Sequence, residues 1–128
     1  MNYYFSKKSR LPFPEALDRT VAELKKEGFG ILTDIDIQAT LKNKLGVEFH
    51  PYRILGACNP PFAHRALQAE DKIGTMLPCN VIVQEKIPGE VEISAVDPVA
   101  SMQAVQNPEL EAISREISRK LQRVLEVL

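Results

Sequence analysis

The segment from Asn107 to the C-terminus constrains this chain most. Leu110, Ile113, Ile117, Leu121, Val124 and Leu128 recur three or four residues apart, which is one apolar stripe at helical spacing. Asn107 stands where a helix takes its N-cap, and Pro108 takes the first helical position, where a missing N–H costs little. Glu109 and Glu111 lie near the positive end of that helix, and Arg119, Lys120 and Arg123 toward the negative end. A helix that is apolar on one side only needs a second layer to cover that side. The segment before it supplies one. Cys79–Glu85 is the strongest strand segment in the chain, Pro88-Gly89 makes a turn, and Val91–Val96 returns as a second strand. The C-terminal third therefore predicts a hairpin covered by a long helix.

The rest of the chain reads as alternating strands and helices. Residues 2–7 form a short first strand. A helix follows from Pro12 to Glu27, with Phe13, Leu17, Val21 and Leu24 on one face and Gly28 as the glycine that ends it. Phe29–Ile35 is a strand. Asp36 caps a short helix through Leu45, and Gly46 closes it. Tyr52–Ala57 is the next strand. Asn59 caps a further helix, with Pro60 at its first position and Ala63, Ala66 and Leu67 inward, running to Ala69. The order is β-α-β-α-β-α-β-β-α. It predicts one α+β domain over residues 1–128, with two layers, a mixed β-sheet and the helices packed mainly on one face.

Charge narrows the function. The chain has 16 Lys and Arg against 17 Asp and Glu, a net charge of −1. No basic excess points to nucleic acid or to anionic lipid. Apolar residues make up 45% of the chain, enough for a core, and without tryptophan that core must be mostly Leu, Ile, Val and Ala. No apolar run reaches the ~20 residues of a membrane span. The N-terminal apolar run is too short for a secretion signal, and its charges follow it instead of leading it. A cytoplasmic location is expected, with Cys58 and Cys79 as reduced thiols.

One segment carries chemistry. Arg53 to His64 contains Cys58-Asn59-Pro60, and Ile73 to Asn80 contains Pro78-Cys79-Asn80. Each cysteine precedes an asparagine. With Asn59 as the cap, Cys58 lies just before a helix N-terminus, where free N–H groups and the helix dipole favour a thiolate. Arg53 and His64 could add positive potential. The bland alternative is a small buried thiol at a tight strand–helix junction. Should the two strand ends be neighbours, both thiols meet. A redox dithiol, a soft-metal site of Cys58, Cys79 and His64, or a thiolate nucleophile then become open chemistries. No Cys-x-x-Cys pair and no familiar zinc spacing is present. Asp34 and Asp36 read as a turn and a cap, and His50 as a loop residue before Pro51.

Gly56-Ala57-Cys58-Asn59-Pro60, Ala63, Leu67, Ile73-Gly74 and Leu77-Pro78-Cys79-Asn80-Val81 together resemble the prokaryotic domain-of-unknown-function family 302. The stretches Gly28-Phe29-Gly30-Ile31-Leu32, Asp36 to Leu41 and Ala95-Val96-Asp97-Pro98 extend the resemblance over nearly the whole chain. It implies a small α+β protein that forms a homodimer, with no settled activity. It also marks Cys58, Asn59, Pro60, Pro78, Cys79 and Asn80 as the ligand-binding candidates.

Three functions are consistent with these residues. The first is a dimeric module binding a small ligand or a soft metal at the two cysteine motifs. The second is a thiol-dependent redox enzyme or sensor, with Cys58 as the thiolate and catalytic candidate and Cys79 as its partner. The third is a structural or accessory dimer with no site. No cofactor can be named from the residues.

Overall fold

A computed structural model describes residues 2–128. Its elements are β1 (Tyr4–Ser9), α1 (Phe13–Lys26), β2 (Gly30–Asp36), α2 (Ile37–Leu45), β3 (Tyr52–Cys58), α3 (Pro60–Ala69), β4 (Cys79–Ile87), β5 (Glu90–Val96), α4 (Pro98–Ser101) and α5 (Pro108–Glu126). The predicted order is present, with two additions: a 3-10 helix over Asp71–Met76 and the single-turn α4. The first strand begins at Tyr4 and ends at Ser9, later at both ends than its sequence reading.

Local chemistry sets the element ends. The Ala39 N–H donates to Asp36 Oδ1 at 3.0 Å, and Gly46 closes α2 at φ 66°. The Glu109 N–H donates to Asn107 Oδ1 at 3.0 Å and starts α5. Gly28 turns the chain out of α1 at φ 89°, a left-handed conformation that only glycine adopts cheaply.

The five strands lie in the order β1-β5-β4-β3-β2, and every neighbouring pair is antiparallel. The expected mixed sheet is thus corrected to an antiparallel one. The physical reason is the path of α1. Strands β1 and β2 run in the same direction, but α1 carries the chain from one sheet edge to the other, so the two never become neighbours. A crossover yields a parallel pair only when it returns beside its starting strand. The other connections join adjacent antiparallel strands, through α2, through α3 and through the turn at Pro88-Gly89.

The sheet buries one face. Leu55, Ala57, Val81, Val83, Ile93 and Ala95 pack with Ala16 and Leu24 of α1 and with Ile113, Ile117, Leu121 and Val124 of α5. Burying each such Leu, Ile or Val side chain contributes about 1.5–3 kcal/mol. A second, smaller cluster joins Ala66 of α3, Ile73, Met102 and Leu110. The outer face pairs Ser6 with Ser94 and Ile82 with Ile54, and no core cluster forms on it among the described residues. There the Ser6 and Ser94 hydroxyls hydrogen-bond at 2.7 Å.

Two charge contacts act within the layers, one in the sheet and one between α1 and α5. Arg53 grips Asp34 across β2 and β3 through two bonds of 2.8 and 2.7 Å, which holds the Asp34 carboxyl below the usual range. Arg123 of α5 donates to Glu27 Oε1 at 2.9 Å, beyond the end of α1. That hydrogen bond, helped by the charges of Arg123 and Lys120, lowers the Glu27 pKa despite some desolvation.

Candidate apolar binding site

Strands β3 and β4 bring the two cysteine motifs to one end of the sheet. Their register sets Ala57 opposite Cys79, and Cys58 follows Ala57 as the last residue of β3. Asn59 then leads into α3. Pro78, after a cis Leu77–Pro78 bond, leads into β4. The two core clusters do not close completely over this corner. Between them lies a cavity of about 310 Å3. Ala57, Cys58 and Cys79 bound it at the sheet end, Phe62, Ala63, Ala66 and Leu67 from α3, and Ile113, Ser114 and Ile117 from α5. Phe29, Leu32, Leu77, Pro78 and Met102 complete most of the rest.

No Asp, Glu, Lys, Arg or His lines this space. The Ser114 hydroxyl is already committed, donating to the Glu111 carbonyl at 3.0 Å. Cys79 is buried, and burial pushes its thiol up to about 11, with a smaller contribution from nearby Cys58. It is therefore a protonated, neutral thiol at neutral pH. Cys58 is half-buried and free.

The predicted site residues divide into two groups. Cys58, Asn59, Pro78 and Cys79 line the cavity together. Pro60 is exposed and outside its lining. Asn80 follows Cys79 on a strand, so the two-residue period turns it to the outer face, where it lies near Tyr3, Tyr4 and Tyr52. His64 is exposed on α3 and also lies outside the cavity lining. The soft-metal set of Cys58, Cys79 and His64 is not assembled, and among the described residues no three His, Cys, Asp or Glu gather to hold a metal.

The start of α3 offers less to a thiolate than the sequence suggests. Asn59 occupies the N-cap position, but its side chain makes no capping bond. Its Nδ2 instead donates to the Glu27 carbonyl at 3.2 Å, tying the end of α1 to the start of α3. Pro60 and Pro61 have no N–H, and the Ala63 N–H is taken by the Asn59 carbonyl at 2.9 Å. Few free donors remain to stabilise an anion at Cys58. Arg53 is occupied by Asp34 near the other end of β3.

Several lining residues carry no sign of the cavity in the sequence. Leu32 does carry a faint one. It sits next to Ile31 and breaks the alternation of an edge strand. Ile31 pairs with Ala57 and Thr33 with Gly56, so Leu32 is the extra residue of a β-bulge. It stands 66% exposed at the cavity, and Leu67 on α3 is 45% exposed. Phe29, Met102, Ile113 and Ile117 look like ordinary core residues, because a void is a property of packing and not of any one residue type.

This corner can hold an uncharged, mostly apolar molecule. Among the described residues no helix is long and apolar enough to cross a membrane. No curated protein matches the chain. A crystal structure of an uncharacterized conserved protein DUF302 from Bacillus stearothermophilus is similar to it, with 29% identity and a TM-score of 0.89 over 97% of this chain and 96% of that one. The family model described as "Domain of unknown function DUF302" matches residues 5–128, cavity and both cysteine motifs included, and the chain belongs to that family.

Proposed function

We propose that this protein is a small-ligand binding module whose ligand occupies the cavity between β3, β4, α3 and α5. One observation carries the reading: a cavity of about 310 Å3 bounded by apolar side chains and free of charged ones, at the corner where the two cysteine motifs meet. Its size falls within the range of small-molecule sites, about 300–1,000 Å3. The metal version has no third ligand to support it. The thiol-redox alternative finds less support, because Cys79 is held protonated and α3 offers Cys58 few donors.

Homodimerisation in the cytoplasm belongs to the same proposal. The outer sheet face, with Tyr4, Ile54 and Ile82, is the surface assigned to the second copy. A location in the reducing cytoplasm keeps both thiols free.

Native mass spectrometry of the reduced protein, compared with its denatured mass, tests the reading. A retained small molecule is expected, one per chain, on a dimer. Ala63→Phe fills the cavity and is expected to abolish retention while the chain stays folded. A chain that retains nothing and also binds no added apolar probe would overturn the assignment.

A further inference from the structure

The cavity bears no charge, yet one of its polar atoms has no partner. Asn59 is 8% exposed and forms part of the lining. Its bond to the Glu27 carbonyl fixes the orientation of the amide, with Nδ2 toward the end of α1. Oδ1 is then the other end of the group. It accepts no hydrogen bond from the described residues, and no unpartnered side-chain N or O atom among them is fully enclosed. Oδ1 is therefore not sealed into the core, and the cavity is the open space that Asn59 lines.

The local sequence withholds one of its usual donors. An asparagine at the start of a helix ordinarily accepts from the N–H two or three positions on. Here Pro61 stands two positions on and has no N–H to give, and the Phe62 N–H three positions on makes no bond to the Asn59 side chain. Gly28 leaves room for the amide: a Cβ there would come within 3.1 Å of Nδ2. A carbonyl oxygen without a donor, on a side chain otherwise held in the protein, favours a ligand that brings one. With no charged side chain in the lining, a charged ligand would lose its hydration without compensation.

We propose that Asn59 is the specificity-determining residue of the cavity, and that it selects a neutral, largely apolar molecule carrying one hydrogen-bond donor. A hydroxyl on an aromatic or alicyclic skeleton fits this description. The proposal rests on the cavity being a small-molecule site, and the test separates the two.

Fluorescence titration of the full chain with 2-naphthol and with 2-methoxynaphthalene provides that test. The probes share a skeleton, and the second lacks the donor. The expected result is tighter binding of 2-naphthol by roughly three- to tenfold, the worth of one net hydrogen bond. Asn59→Leu is expected to erase that preference while still binding 2-methoxynaphthalene. Asn59→Ser, which withdraws the acceptor by shortening the side chain, provides the same readout should the leucine variant fail to fold. Equal affinities in the unsubstituted protein, or a preference that survives in the variants, overturn the role of Asn59 and leave the cavity as a site. Failure of both probes to bind overturns the cavity reading, and the role of Asn59 with it.

Discussion

Helices α3 and α5 begin with the same two residue types, asparagine then proline, and end in different roles. Asn107 behaves as a cap: its Oδ1 accepts from the Glu109 N–H, and its Nδ2 donates to the Ala69 carbonyl at 3.0 Å. Helix α5 then buries eight residues along its length. Asn59 makes no cap, holds the end of α1 instead, and leads a helix that buries only Ala66. Helix α5 is mostly core and meets the cavity near its start, whereas the inner side of α3 is chiefly a wall of that cavity. Two features separate them, the second proline after Asn59 and the hold of the Glu27 carbonyl on its amide. The proline removes the donor two positions on, the one that Asn107 engages at Glu109.

The sharpest way to break this contrast is to empty both helices of a large side chain. Leu121→Ala in α5 is expected to cost about 2–5 kcal/mol, because its surroundings are fully packed. Phe62→Ala in α3 is expected to cost well under half as much, since the ring already borders open space. Urea unfolding of both variants measures the difference, and equal losses would mean that α3 is as tightly packed as α5. Gly28→Ala strikes the α3 junction from the other side. A left-handed backbone at an alanine costs about 1–2 kcal/mol, and the added methyl also presses on Asn59.

The caps themselves come next in size. Asn107→Ala is expected to lose about 1 kcal/mol and to fray the start of α5, visible as faster amide exchange at Glu109. Asn59→Ala is expected to leave exchange at the start of α3 unchanged, because no cap is lost there. The smallest effect concerns Glu27, whose carbonyl Asn59 holds and whose carboxylate Arg123 holds. Its pKa is lowered in the folded state, so its contribution is present above the ordinary carboxylate range and is lost as pH falls through the lowered value. Glu27→Gln is expected to reduce stability slightly at neutral pH and to flatten the acid side of a melting-temperature profile. An unchanged profile would show that the exposed Arg123 pair contributes nothing.

Much of this architecture is legible in the sequence because it is written locally. Asp36 with Gly46, and Asn107 with Pro108, mark helix ends within a few residues of one another, and the α5 stripe identifies its own buried face. Strand order is not local, and the mixed sheet expected from β-α alternation gives way to an antiparallel one once α1 spans both edges. The position of Asn80 follows from strand periodicity alone, since its neighbour Cys79 faces inward. Pro60-Pro61 likewise argues, from sequence, against an anion site at α3. Asp97-Pro98 carries the same start signal as the longer helices and begins α4, with Asp97 Oδ1 accepting from the Val99 N–H at 3.0 Å. The 3-10 helix and the cavity have no comparable mark. They emerge from how two apolar clusters meet.

The route of α1 also sets an order of assembly. Strand β1 pairs with β5, from which it is separated by most of the chain, whereas β4 and β5 are joined by a tight turn. During synthesis the hairpin can close as soon as it is made, but the first strand must wait for nearly everything else. Its Phe5, which packs against the finished core, stays in water through that interval. Contacts between distant segments form late and slow the whole process. Strand β1 is thus made long before its neighbour β5 and stays unpaired until that strand exists.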